Sequence, residues 1–138
     1  VKIAFICTGN TARSQMAEAY ARHFAKLFQK PIEVYSAGAN PEREVNPFTI
    51  KVMLEEGFDL TQARPKSLEE IPLSELDLVI TLCDSAKESC PYIPGVKREH
   101  WPLPDPVKAE ATEGEKLETF RRVRELIKER VRALIESL

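Results

Sequence analysis

The sequence has no apolar run near the length of a membrane span and no signal-peptide pattern. Neither charge sign dominates: 20 Lys and Arg face 22 Asp and Glu, for a net charge of −2. The basic residues are interleaved with acidic ones, so nothing global argues for nucleic acid or an anionic membrane as a partner. Repeats, low-complexity tracts and inter-domain linkers are missing too. Cysteine is scarce and odd in number, at three. With no signal peptide, a permanent disulfide framework is not expected, and a reducing cytoplasm is the default setting. Cysteines there serve as buried filler, metal ligands or reactive thiols. What remains is ordinary for a globular chain. Its 138 residues are 43% hydrophobic and 30% charged, which suits one domain over 1–138 with a real core. Nothing demands more than a monomer.

Apolar patterning alternates between strand and helix. Lys2 to Cys7 (KIAFIC) is a short apolar, β-branched run that reads as a buried strand. From about Ala12, the residues Met16, Ala17, Tyr20, Ala21, Phe24 and Phe28 recur at helical spacing. Ile32 to Ser36 reads as a second strand. Asn46-Pro47 opens a helix, with Asn as N-cap and Pro at the first helical position. Ile50, Met53 and Leu54 keep its period and Gly57 ends it. Ser67 to Ile71 suits one helical turn, Leu76 to Leu82 a central strand, and Lys97 to Leu103 a short last strand. From about Glu113, the residues Leu117, Phe120, Val123, Leu126, Ile127, Val131 and Leu134 line one face of a long helix. Such alternation implies a parallel sheet with helices on both faces. In that class, ligands bind beyond the carboxyl ends of the strands. Cys7 and Cys83 both fall at such ends.

The loop after the first strand carries the chemistry. Thr8, Gly9, Asn10, Thr11 and Ala12 are small, and Gly9 and Asn10 tolerate positive φ. A loop like this can turn successive backbone N–H groups inward as an anion nest. The helix that follows, with Ser14 in its first turn, adds its own N–H groups and the positive end of its dipole. Arg13 offers a planar fork matched to a tetrahedral oxyanion. The same donors stabilise a thiolate at Cys7. The spacing Cys-x5-Arg is weak alone and strong between a strand and a helix start. The blander alternative is a buried Cys7 and a solvent-facing Arg13.

The stretch CTGNTARSQMAEA resembles the phosphate-binding loop of low-molecular-weight protein tyrosine phosphatases and of the thioredoxin-coupled arsenate reductases that share their fold. The resemblance extends to Ser36-Ala37-Gly38, to LDLVITLCD and to Asp105-Pro106 in WPLPDP. It implies a three-layer sandwich with a central four-stranded parallel sheet. It also implies a site that takes arsenate, with phosphate or sulfate as mimics, on Thr8 to Ser14. One departure is Ala12, where both groups often carry a second cysteine.

Cys7, Arg13 and Asp105 would supply the nucleophile, anion clamp and general acid of a phosphatase. Taken alone, Asp105-Pro106 also fits the start of a turn. Cys83 and Cys90 decide the branch. From the residues, they fit buried filler, while no usual zinc pattern forms with His23 or His100, and the gap is too wide for a CxxC pair. The arsenate reductase resemblance implies a relay instead. Cys7 attacks arsenate, a Cys7–Cys83 disulfide forms, the bond passes to Cys83–Cys90, and thioredoxin resets the enzyme. An α-helix from 83 to 90 would separate those two Cα atoms by roughly 10 Å. A disulfide needs about 4.4–6.8 Å, so the relay requires that segment to be uncoiled on oxidation. Val107 stands where many such phosphatases carry an aromatic that flanks phosphotyrosine, which favours the small inorganic substrate.

In some family members a potassium ion supports the loop through residues that match Asn10, Glu18 and Ser36. Here the basic residues of Ala63-Arg64-Pro65-Lys66 are placed to replace it. Glu18 also suits a pair with a basic side chain on its own helix face. The alternatives to a reductase are a tyrosine phosphatase using Cys7, Arg13 and Asp105, or a non-catalytic phosphate-binding redox sensor.

Overall fold

The structure is a computed structural model that describes residues 1–83, 93–103, 105–106 and 112–138. Cys90, the rest of the 84–92 segment, and Val107 lie outside the described residues. The elements are β1 (Lys2–Cys7), α1 (Arg13–Leu27), β2 (Glu33–Gly38), α2 (Pro47–Leu54), β3 (Leu78–Thr81), β4 (Lys97–His100) and α3 (Glu113–Ser137). Two 3-10 turns, Leu68–Glu70 and Leu73–Glu75, lie between α2 and β3. The four strands are all parallel, in the order β2-β1-β3-β4.

Both faces of β1 are buried, as its continuous apolar run requires. Ile3, Phe5 and Cys7 face one core with α1, α2 and α3, where Tyr20, Met53, Phe120 and Ile127 pack. Ala4 and Ile6 face a second core with Ala37, Ile71, Leu76 and Val79, covered in part by Leu68 and Leu73 of the turns. β1 therefore lies at the centre, and its carboxyl end is held on every side.

Local signals set several boundaries. The Asn46 side chain accepts from Phe48 N at 2.9 Å, and Pro47 starts α2. Gly57, at φ +87°, ends that region while Phe58 N returns to Met53 O at 3.0 Å. Two strands are shorter than the sequence implied, and β2 runs on to Gly38.

Two apolar residues expected to face the core do not. Leu54 is 59% exposed and Leu126 49%. The buried stripe of α3 runs through Phe120, Val123, Ile127, Val131 and Ile135. Leu126 precedes Ile127 by one residue and so is turned about 100° from that stripe. Leu54 lies on the far side of the short α2 from Thr49 and Val52. Ion pairs tie α2 to α3 instead: Glu55 meets Arg121 at 2.7 Å and Arg124 at 2.8 Å, and Glu56 meets Lys128 at 2.8 Å. Among the described residues, no helix is long and apolar enough to cross a membrane.

Candidate active site

The carboxyl end of β1 opens into the loop from Thr8 to Ala12. Its carbonyls are all engaged. Cys7 O accepts from Ala39 N at 3.1 Å, Thr8 O from Asn40 N at 2.9 Å, and Gly9 O from Glu42 N at 3.1 Å. Asn10 O accepts from Gln15 Nε2 at 3.2 Å and Ala12 O from Met16 N at 2.9 Å. Thr11 O accepts from Asn46 N at 3.1 Å and from the Thr49 hydroxyl at 2.9 Å. Across a trans peptide the next N–H points opposite to the carbonyl. Carbonyls held outward therefore aim the amides of residues 8 to 13 at the hollow over Cys7. The Asn10 amide shows the direction, donating to Cys7 Sγ at 3.2 Å.

Asn10 is the turning point, at φ 56°. That left-handed conformation is tolerated by Asn. Gly9 does not take it; its neighbour does. Asn10 is fully buried, and every polar group on its side chain is used. Its amide nitrogen donates to Ser14 Oγ at 2.6 Å and to Ser36 Oγ at 3.1 Å. Its side-chain oxygen accepts from Lys66 N at 2.8 Å and Gln15 Nε2 at 3.1 Å. Ser14 Oγ, which accepts from Asn10, also shares a hydrogen bond with Cys7 Sγ at 2.9 Å. The structure thus places Ser14 under the thiol.

Gly38 closes the loop from behind. A Cβ there would stand 2.5 Å from Thr8 O and 3.0 Å from Asn10 N. Only a residue without a side chain lets β2 approach that closely.

Arg13 is 3% exposed, so the solvent-facing alternative is excluded. Its Nη1 donates to Leu82 O at 3.1 Å and Leu103 O at 3.0 Å. Its Nη2 stands 3.6 Å from Asp105 Oδ2. The fold thus brings together residues from β1, α1, the end of β3 and the segment after β4. Cys7, Arg13 and Asp105 line one cleft of about 700 Å³ with Thr8, Gly9, Thr11 and Ala12. The segment 40–47 forms its outer wall.

Cys7 is a free thiol, and Cys83 is disulfide-bonded. Both are buried. Among the described residues, no cluster of His, Cys, Asp and Glu could hold a metal. His23 is exposed and packs edge-on against Phe24 and Phe58, while His100 bonds to the Thr81 hydroxyl at 2.7 Å.

The residues matching a potassium site do not fit a further cation. Ser36 donates to Glu18, and Asn10 in turn donates to Ser36. The Glu18 carboxylate already faces two cations, Arg22 at 2.8 Å on its own helix and Lys66 at 3.6 Å. Gln15 reaches Arg64 O at 3.0 Å and so fastens the Lys66 segment to the loop. Sequence reasoning missed Gln15 and Thr49 as loop supports. Each acts on backbone far along the chain, and only their polarity inside apolar helical patterns hinted at it.

The fold has known counterparts. The chain matches the family model for low molecular weight phosphotyrosine protein phosphatase over residues 2–138. An arsenate reductase of Bacillus licheniformis is 45% identical over 136 residues, or 98% of this chain and 95% of the relative. An arsenate reductase crystal structure from Archaeoglobus fulgidus has a TM-score of 0.79 at 30% identity, covering 97% of this chain and 98% of that one. A thioredoxin-dependent arsenate reductase from Corynebacterium glutamicum has a TM-score of 0.73 at 31% identity, covering 99% of this chain and 60% of that longer one. With the family model matched over all but the first residue, and with curated arsenate reductases similar nearly end to end, the chain belongs to the low molecular weight phosphotyrosine protein phosphatase family.

Proposed function

We propose that this protein reduces arsenate to arsenite with electrons drawn from its own thiols. The observation that carries the reading is the contrast between two cysteines. Cys7 is a free thiol beneath an anion nest, and Cys83, one residue beyond a carbonyl held by Arg13, is in a disulfide. A site built only to transfer phosphoryl groups has no use for a second, oxidisable thiol beside it.

The loop amides and Arg13 hold the oxyanion, as donors to charge that stays on its oxygens. The Cys7 thiolate attacks As(V), an S–As bond forms, and one oxygen leaves as water with a proton from Asp105. Cys83 then attacks Cys7 Sγ. An S–S bond forms, and the S–As electron pair stays on arsenic, which departs as arsenite. Cys90 attacks Cys83 and releases the Cys7 thiolate. A thioredoxin-class dithiol reduces the Cys83–Cys90 bond. The 45% identical arsenate reductase supports the substrate in this reading, and the similarity to a thioredoxin-dependent arsenate reductase supports the class of reductant.

Potassium has no part in this reading. The Lys66 ammonium stands by Glu18, where it supplies the positive charge that a bound cation would bring. A second reading, phosphate monoester hydrolysis, is favoured by the Arg13–Asp105 pair at the cleft, which places an acid beside the anion clamp.

Single Cys→Ser variants test the scheme, with arsenate reduction coupled to thioredoxin and hydrolysis of an aryl phosphate as the two readouts. Cys7→Ser abolishes both. Cys83→Ser and Cys90→Ser each lose reduction by at least about 100-fold, in line with the loss of an essential nucleophile. Reduction at the normal rate in either of the last two would remove the relay. Turnover of neither substrate by the unaltered chain would leave a phosphate-binding module.

A further inference from the structure

We propose that Thr49 is a positioning residue for the oxyanion. Its hydroxyl, acting through the Thr11 carbonyl, aims the Ala12 amide into the nest and so sets how tightly a tetrahedral anion binds. This role rests on the reading of Thr8 to Ser14 as an oxyanion loop, given above, and adds α2 to the elements that build it.

The loop is pinned in three different ways along its length. Its first part is held by backbone alone: Ala39 N, Asn40 N and Glu42 N donate to Cys7 O, Thr8 O and Gly9 O. Its middle is held by the side chains of Asn10 and Gln15. The peptide between Thr11 and Ala12 is held from the start of α2. Asn46 N donates to Thr11 O at 3.1 Å, and the Thr49 hydroxyl donates to the same oxygen at 2.9 Å. A carbonyl oxygen has two lone pairs, and two donors meet this one. They fix the peptide plane, and with it the direction of the Ala12 N–H, which lies opposite the carbonyl.

Ala12 is the N-cap of α1, and no side chain caps that helix. A Ser, Thr, Asp or Asn there would order its own surroundings by bonding to the first-turn amides. Alanine has no such oxygen. The first-turn amides are therefore left to the anion, and the peptide before them takes its direction from α2.

Thr49 suits that task. Its side chain is fully buried, so its hydroxyl is shut off from bulk water. It is β-branched, which restricts χ1. A helical threonine can bond to the carbonyl four residues back in its own helix. This one reaches instead to residue 11, 38 positions away in the chain. Two donors on one oxygen also polarise the peptide, which strengthens its N–H as a donor to an anion. α2 itself is held against α3, by Phe48 on Phe120 with ring centroids 5.4 Å apart and by Glu55 on Arg121 and Arg124. The core thus fixes the point from which the hydroxyl reaches the loop. Substrate and transition state both place oxygens in the nest. Loss of the aim therefore weakens binding more than chemistry, which raises KM and leaves kcat nearly unchanged.

The test uses Thr49→Val, which keeps the shape and removes the hydroxyl, and Thr49→Ser, which keeps the hydroxyl. Both are made in the full chain, with its three thiols reduced. Inorganic phosphate is titrated by calorimetry, and its Kd is read a second time from the phosphate-dependent rise in melting temperature. Thr49→Val should bind phosphate about three- to tenfold more weakly, as expected for the loss of one hydrogen bond, and Thr49→Ser within about twofold of the unaltered chain. The KM for arsenate should rise by the same factor in Thr49→Val, with kcat within about twofold. Unchanged phosphate affinity in Thr49→Val overturns the proposal. So does a Thr49→Ser variant as weak as Thr49→Val, which would assign the effect to packing of the methyl group. A Thr49→Val chain that does not fold overturns it too, since the hydroxyl would then serve the fold and not the anion. Phosphate binding involves no electron transfer. Failure of the unaltered chain to reduce arsenate therefore strikes the reductase reading and leaves the phosphate comparison standing. Absence of phosphate binding by that chain strikes the oxyanion loop itself, and the role of Thr49 falls with it.

Discussion

Cys7 ends β1 and Cys83 lies two residues beyond β3, the strand paired with it, and the two are held differently. Cys7 is followed by a loop in which each carbonyl has a partner and the central side chain, Asn10, makes four hydrogen bonds. Cys83 follows a four-residue strand, and the residue before it is fixed by Leu82 N to Ile6 O at 2.8 Å and by Arg13 on its carbonyl. The difference matches the two tasks proposed above. An anion site works by preorganisation, since its donors must not reorient when charge arrives. A thiol that exchanges disulfide partners must be able to meet more than one sulfur. The fold places both at one edge by pairing β1 with β3.

Variants in the loop, behind it and far from it grade this contrast. Asn10→Ala has the largest expected effect. It leaves the Lys66 amide and the Ser14 and Ser36 hydroxyls short of a partner, at about 1–3 kcal/mol per buried group left unsatisfied. Both arsenate reduction and aryl phosphate hydrolysis then fall by one to two orders of magnitude, read as kcat/KM. A fall in only one would mean that the loop does not serve both reactions. Lys66→Ala comes next. It removes one of the two cations at Glu18 and should lower both activities several-fold, with recovery in potassium but not in a bulky organic cation. The unaltered chain should respond equally to either salt, and a potassium requirement there would overturn the role given to Lys66.

Glu55→Gln should change neither activity. Its effect is on stability alone, within about 1 kcal/mol for a screened surface pair. The hydrogen bonds from Arg121, with those from Arg124, hold the Glu55 carboxyl at about 2, below its ordinary value of 4.5. A folded-state pKa below the unfolded one stabilises the fold above the unfolded pKa. The contribution is therefore full above about pH 4.5 and is lost as pH falls toward 2. Denaturant melts of the two proteins should differ at pH 7 and converge near pH 2.

Much of this was legible in the residues. KIAFIC reads as a strand buried on both faces because nothing polar interrupts it, and both of its faces are buried. The Asn46-Pro47 start of α2 was legible because a cap and its helix are neighbours in sequence. Leu54 and Leu126 misled because helical period identifies a face only to within a residue or so, and short or exposed helices tolerate an apolar residue beside the stripe. Gly38 entered only as part of the family resemblance, and nothing in its neighbours gave the reason for it. Its need is set by Thr8 O, thirty positions away in the chain, which a Cβ at position 38 would approach to 2.5 Å.

The sequence by itself determined the loop after β1 and the places of Cys7 and Arg13 at its two ends. Strand, small-residue turn, helix start, Cys7 and Arg13 all fall within one short segment, where local backbone preferences decide the geometry. Only the tertiary structure decided what Arg13 holds, what stands beside Glu18, and that the strand before Cys83 lies beside β1. Those contacts join β1 and α1 to the end of β3, to the segment after β4 and to Lys66. They exist because parallel pairing gathers the carboxyl ends of distant strands along one edge, a placement that no local preference encodes.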